Sequence, residues 1–456
     1  VTRPAPTPPA PPRPEWRNLM TLAVPVVVSQ FASNGMTLIG TAVMGRLGTT
    51  ELATIAYVNA LFNLGLMVLV GVMLSVPARV AAAHGALDPQ AVRVTARAGA
   101  LLGASLALGF GTLLWLGAPL VAQRSPAGLD AGLIQETLRT LALVLPASMG
   151  FMTCRGILEA TGQPRTVTAA LLLGVAASAG LAPALAFGWG PLPTLGFRGP
   201  VLSTVLTLWL VFLTLLRFAW PALRPGAALP AGAVRREYRQ LLHVGVPIGL
   251  TLGAEVGLFG VTSLLMAQFG TETLAAHNVA LQIITAAFMV PLGLSTAVGI
   301  RVAHLSGRKQ PAQARRAGLI GMQLAVGFML TVSLLYLLAP RAVIGLFVDA
   351  HAPANAALVA TATGYLLIAA LFQAFDGLQV TANAALRGLQ DTRVPMLISL
   401  ASYWLVGLGL GALLAFPLGL GGQGLWFGLT AGLLTSSALL TWRFLHRARP
   451  GLPAVT

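Results

Sequence analysis

The chain is 456 residues long, 56% hydrophobic and only 9% charged. A soluble domain carries nearer ~25% charged residues because all of its faces meet water, so this chain is solvated mainly by lipid. Its net charge of +16 does not mark a nucleic-acid binder, because the basic residues sit in short loops between apolar stretches and not on one hydrophilic domain.

In chain order, residues 1–18 are Pro-rich, carry Arg3 and Arg13, and lack the apolar core of a signal peptide, so they read as a cytoplasmic tail. A helix that crosses a bilayer needs roughly 20 mostly apolar residues. Windows of that kind fall at Leu19–Met44, Ala53–Ala78, Ala98–Val121, Leu133–Gly156, Val167–Gly188 and Gly199–Phe218. Six more follow at Leu241–Gln268, Ala276–Ile300, Ala317–Ala339, Ala357–Ala385, Pro395–Phe416 and Gly421–Leu440. The alternating segments of roughly 10 residues that a barrel needs do not occur. Between the sixth and seventh windows, residues 221–240 hold Arg224, Pro225, Pro230 and Arg235 and read as a flexible basic connector. Residues 444–456 read as a second cytoplasmic tail. The expected fold is an all-α integral membrane protein of twelve transmembrane helices, arranged as two six-helix lobes at 19–220 and 241–443.

Orientation follows from the arginines. If the first tail is cytoplasmic, all 28 basic residues fall on that side except Arg46, Arg124, Arg139, Arg198 and Arg341. That asymmetry fits the positive-inside rule with both termini cytoplasmic. An internal repeat supports the same count. Pro25, Met44, Gly48, Thr49, Met67, Gly71, Arg79 and Gly85 recur 222 residues later as Pro247, Met266, Gly270, Thr271, Met289, Gly293, Arg301 and Gly307. Leu158 and Arg165 recur as Leu386 and Arg393 at an offset of 228. Six helices per half is an even number, so the repeat is parallel, about an axis along the membrane normal.

Of the 12 acidic residues, only Glu255 and Asp376 sit well inside apolar windows. An ionisable group at the bilayer centre costs about 2.5–3.5 kcal/mol on insertion scales and faces the bundle interior. The pair is therefore the candidate site for a coupling cation, Na⁺ or H⁺, with a structural carboxylate as the plainer alternative. Gln30, Asn34, His277, Asn278, Gln282, Gln373, Gln379 and Asn383 are candidate cavity-lining polar residues, although each alone is more often a helix-to-helix hydrogen bond. His277 lies near a helix start and reads as water-facing. Phe31, Met36, Phe259, Met266, Phe288, Met289 and Phe375 form a candidate apolar wall for flat cations, although each alone is more often ordinary packing or lipid contact. There is no Gly-Lys-Ser/Thr phosphate loop, no His-Glu-x-x-His zinc motif and no second buried aspartate for proteolysis. An enzyme is not expected, nor is a cofactor beyond the coupling ion.

Several stretches together identify a resemblance. They are Ala23-Val24-Pro25, Val43-Met44-Gly45-Arg46-Leu47-Gly48, Leu274-Ala275-Ala276-His277-Asn278-Val279-Ala280 and Leu371-Phe372-Gln373-Ala374-Phe375-Asp376. Leu386-Arg387-Gly388-Leu389-Gln390-Asp391 and Ser402-Tyr403-Trp404 complete the set. In order and spacing the chain resembles the multidrug and toxic compound extrusion (MATE) family, NorM-like branch, over about residues 19–440. The resemblance implies a V-shaped pair of six-helix lobes that rock between inward- and outward-open states. It also implies export of cationic, often aromatic compounds against Na⁺ or H⁺, with a cation-binding region at the positions of Glu255 and Asp376. The chain departs from the family in its first lobe. Gly40 stands where members commonly carry an aspartate, and Ser178, Gly180 and Ala182 stand where they carry asparagines around a proline.

The expected function is a secondary multidrug exporter, antiporting small organic cations against Na⁺ or H⁺ as a monomer in a bacterial inner membrane. Two other readings compete with it. A lipid-linked oligosaccharide flippase would favour a strongly cationic cleft, whereas this sequence places acids in mid-membrane. A non-transporting receptor or scaffold would leave two buried carboxylates without a purpose.

Overall fold

The computed structural model describes residues 14–47, 49–126, 129–189, 194–224 and 230–449. Among them, 12 helices are long and apolar enough to cross a membrane, and no strand occurs. The first lobe holds α1 (Glu15–Met44), α2 (Ala53–Gly85), α3 (Pro89–Gln123), α4 (Ala131–Ala160), α5 (Pro164–Phe187) and α6 (Arg198–Leu223). The second holds α7 (Ala233–Phe269), α8 (Thr271–Gly307), α9 (Pro311–Leu338), α10 (Pro353–Gly388), α11 (Arg393–Ala415) and α12 (Gly421–Arg447). In lipid every backbone polar group must be satisfied within its own segment, and long apolar runs therefore become helices.

The helix ends follow local chemistry. Asp88 accepts from the amides of Gln90 and Ala91 at the start of α3, with Pro89 in the first turn. Asp130 caps α4 through the amide of Leu133. Helix α5 stops at Gly188, whose φ of +72° suits glycine. Helix α11 contains a widened stretch, Ala401–Leu408, of the i→i+5 kind.

Three boundaries differ from the sequence expectation. Glu15–Asn18, expected in the first tail, already belong to α1, with Pro14 as the residue before it, and residues 1–13 of that tail lie outside the described residues. Helix α6 continues to Leu223 and α7 begins at Ala233, so the connector is shorter than 221–240, with residues 225–229 outside the described ones. The Arg-Arg-Glu-Tyr-Arg run from Arg235 consists mostly of good helix formers, so charge there extends α7 instead of ending it. Helix α12 likewise runs on to Arg447, into the expected second tail.

The lobes meet along α1 and α2 on one side and α7 and α8 on the other, and the contacts come in repeat-related pairs. A methyl group added at Gly71 would come within 2.5 Å of the Gly249 Cα. Its mate 222 residues on, Gly293, would bring one within 2.7 Å of the Cα of Val27, the mate of Gly249. Likewise a methyl at Gly85 would overlap the His304 carbonyl, and one at Gly307 the carbonyl of Ala82. Two ion pairs obey the same rule. Arg79 holds Glu237 with two bonds of 2.8 and 2.6 Å, and Arg301 holds Glu15 with two of 2.6 and 3.0 Å. Arg79 also donates to Gln390 at 2.8 Å and to Gln240, and Thr95 donates to Glu237 at 3.1 Å.

All of these contacts lie toward the end of the bundle that carries Glu15 and most of the arginines, here termed the basic end. Toward the opposite end, Gly35, Gly40 and Gly260 have no neighbour that an added methyl would touch within 4 Å. The seam is therefore closed at the basic end.

Gly293→Leu is expected to push α8 off α1 and expose the basic-end seam. A cysteine placed at Ala82 should then react faster with a water-soluble thiol reagent. Gly327→Leu, at a position with nothing within 4 Å, should leave that rate unchanged; the native Cys154 is buried and adds little background.

Candidate functional site

Two polar regions lie inside the lobes. In the second, Asp376 on α10 is buried and Glu255 on α7 is half-buried. They lie close enough for their charges to interact, and Glu255 also lies within electrostatic reach of Arg387. Sequence reading placed Arg387 in a loop; it closes the last turns of α10, so a cation sits near the acid pair. One helical turn from Asp376, Gln379 donates its Nε2 to Tyr403 Oη at 2.5 Å. Its Oε1 is buried without a protein partner among the described residues, as is that of Gln373. Tyr403 is presented by the widened turn of α11, and its neighbour Trp404 packs over Gly257, two residues from Glu255. The two carboxylates and the Gln379 amide oxygen are hard oxygen donors, the kind that suits a small cation or a proton, whereas the Gln373 amide lies against Met329 of α9. Among the described residues no cluster of three or more His, Cys, Asp or Glu side chains could hold a metal.

The first lobe encloses a cavity of about 410 Å³ between α1, α2, α4, α5 and α6. Its wall mixes Met36, Met67, Phe62 and Phe151 with Asn59, Asn63 and Gln30. Gly40 and Ser178, two of the positions that depart from the family pattern, line the same cavity. So does Arg155, which the sequence places at the very end of the fourth window among the arginines of the cytoplasmic side, and which with Arg387 departs from an acids-only view of the membrane interior. It pairs with Glu159 at 2.8 Å and donates to Gln30 Oε1 at 2.9 Å. The i,i+4 spacing of Arg155 and Glu159 was the available signal: two opposite charges one turn apart can enter a bundle together.

The remaining candidates scatter. Gln30 and Met36 reach the first-lobe cavity; Gln379 joins the Asp376 region, and Asn383, also buried, lies one turn further along α10. Asn34, Phe259, Phe288, Met289 and Phe375 are half-buried and, with the exposed Phe31, do not line that cavity. Asn278 and Gln282 are exposed on α8. Met266 is not a cavity wall: it is fully buried against Tyr365 Oη and Gly422 in the core of the second lobe. His277 is not water-facing either. It is fully buried, 3.1 Å from Ser263 Oγ and edge-on to Trp426, which in turn stacks on Tyr365 and Phe372. An aromatic cluster of this size draws the start of α8 inward, where lone sequence position suggested water.

The family model MatE matches residues 25–183 and again 247–413, which reproduces the offset of the repeat. The "Probable multidrug resistance protein NorM" of Deinococcus radiodurans is 52% identical over 96% of this chain and 97% of its own length. A protein of the same name from Pseudomonas aeruginosa is 37% identical over 97% of this chain and 91% of its own. The solved structure of the eukaryotic MATE transporter AtDTX14 has the same fold at a TM-score of 0.81, with 19% identity, covering 95% of this chain and 97% of that one. The outward-facing conformation of a multidrug resistance MATE family transporter superposes at 0.85, with 17% identity, covering 95% and 96%.

Arg155→Ala strands the Glu159 carboxylate, whose side chain is 3% exposed. It is expected to destabilise the protein by about 3–5 kcal/mol, while the Arg155→Met, Glu159→Met double variant costs far less; thermal unfolding of the purified variants checks both. Gly40→Asp meets nothing within 4 Å and should leave the melting temperature unchanged.

Proposed function

This chain belongs to the MatE family, a multi-pass membrane protein built on its doubled pattern, and from that premise we propose that it is a multidrug exporter of the NorM type. It would exchange small organic cations for Na⁺, or for H⁺, by rocking two lobes about the seam. The observation that carries this reading is the carboxylate pair of the second lobe, buried Asp376 and half-buried Glu255, opposite a cavity that has no acid in its wall. A coupling ion that enters the acid pair neutralises it and changes what that lobe can hold. A second cation is thereby disfavoured, which is the elementary condition for exchange. The gradient supplies the work: one charge falling through 100 mV gains about 2.3 kcal/mol.

Na⁺ is the favoured coupling ion. Gly40 offers no first-lobe carboxylate, and the hard oxygen donors around Asp376 suit a metal cation. The basic end is assigned to the cytoplasm, with both termini there and the bilayer a bacterial inner membrane, because arginines accumulate on that side. In that orientation the closed seam faces the cytoplasm and the substrate path faces out. The protein is proposed to act as a monomer, with the lipid bilayer and its organic-cation substrates as its partners. The flippase reading gains Arg155, but Glu159 neutralises that guanidinium, so the first-lobe cavity offers a pyrophosphate no unpaired arginine among the described residues.

In sealed proteoliposomes, a Na⁺ gradient alone should drive movement of a fluorescent organic cation, and Glu255→Gln and Asp376→Asn should each abolish it. Movement under a pH gradient alone would make the carboxylates proton carriers. No movement under either gradient would remove the drug-export reading.

A further inference from the structure

The two lobes close their first-to-fifth helix seam differently. In the first lobe α1 and α5 are stitched together, with Thr168 Oγ1 donating to the Pro25 carbonyl at 2.8 Å and lying 3.0 Å from Ser29 Oγ. The repeat mates of Thr168, Pro25 and Ser29 are Met396, Pro247 and Thr251. Thr251 donates to the Pro247 carbonyl of its own helix at 2.9 Å just as Ser29 donates to that of Pro25, so the difference lies at Met396, whose side chain has no hydroxyl to donate. The stitch is therefore missing between α7 and α11, and a groove of about 560 Å³ opens there on the outside of the bundle.

The groove has a charged mouth and an apolar floor. At the basic end stand Arg239 and Arg393, with Arg393 Nη2 donating to His243 Nδ1 at 3.1 Å. Below them run Val246, Leu250 and Leu397, 43%, 47% and 59% exposed. No carboxylate lines the groove, and neither arginine joins an ion pair among the described residues. Two uncompensated guanidiniums above a trench of exposed aliphatic side chains, at the edge of a membrane span, match a phosphate with an acyl chain beneath it. Arginine holds phosphate through paired N–H donors, and basic pockets between spans are sites for anionic headgroups.

We propose that the α7/α11 groove binds an anionic phospholipid of the leaflet at the basic end. Its phosphate lies between Arg239 and Arg393, and one acyl chain lies along Val246, Leu250 and Leu397. The first lobe is an internal control. Arg17 and Arg165, the repeat mates of the two arginines, are both exposed, and they stand beside the seam that Thr168 ties to α1.

The test titrates phosphatidylglycerol into the purified full-length protein and reads bound lipid by native mass spectrometry, with phosphatidylethanolamine as the zwitterionic comparison. Wild type should prefer phosphatidylglycerol. Arg239→Gln with Arg393→Gln should weaken that binding about thirtyfold, and Leu250→Trp, which fills the trench without changing charge, should weaken it too. Arg17→Gln with Arg165→Gln should change it less than about twofold. The proposal is overturned if both arginine double variants lose affinity equally, which would mean general surface charge. It is overturned as well if Leu250→Trp has no effect or inorganic phosphate displaces the lipid, since the site would then be for the free anion. None of these readouts depends on transport, so they stand apart from the exporter reading.

Discussion

The arrangement of this molecule depends on how closely two helix backbones can approach inside lipid. Between helices in a bilayer there is no hydrophobic drive, because acyl chains are as apolar as leucine. Cohesion must come from close packing and from polar contacts that lipid cannot replace. At the lobe seam both are present: Gly71, Gly85, Gly293 and Gly307 let backbones meet where a single methyl would collide. Beside them, Arg79 and Arg301 reach across to Glu237 and Glu15. Arginine–carboxylate pairs with two parallel bonds are directional, so they fix the register that the glycines permit. The cavity in one lobe and the acid pair in the other are held apart by this seam.

The two interior regions solve the cost of burying charge in different ways. In the first lobe Arg155 is cancelled by Glu159 and tied to Gln30, so the cavity wall is polar but close to neutral. In the second, Glu255 and Asp376 are two groups of the same acidic kind, with Arg387 in electrostatic reach of Glu255. A like-charged buried pair keeps a residual attraction for a cation, whereas a cancelled pair does not. The duplicated architecture thus carries two unlike halves, one able to respond to an ion and one built to present a soft Met- and Phe-rich surface.

Much of this was legible from residues alone. The twelve spans, the parallel repeat and the rarity of Glu255 and Asp376 follow from hydropathy and from the cost of intramembrane charge. Even the seam was half visible, since Gly71, Arg79 and Gly85 and their mates marked the repeat. What was missed is that Glu15 and Glu237 are mates as well, and that the mates touch across the lobes. Which face a helix buries was not legible, because a helix that is apolar all round has no stripe to read. For that reason His277, which is buried, reads from its position as water-facing, while Met266 falls to the plainer of its two readings, core packing. Arginines usually mark span ends, so sequence puts Arg155 at the edge of its span and Arg387 beyond its own, yet both helices run further than their apolar cores.

The seam has one more property. Arg79 of the first half meets Glu237 of the second, and Arg301 of the second meets Glu15 of the first. Residue i on j, repeated as j on i, is the pattern of an isologous interface between identical subunits. The single chain therefore retains the contact geometry of a homodimer, and each half carries a full copy of the surface that closes against the other. A substitution on one side alters one of two equivalent clasps, so the halves were free to diverge inside, one keeping its carboxylates and the other its cavity, while the shared surface stayed self-complementary.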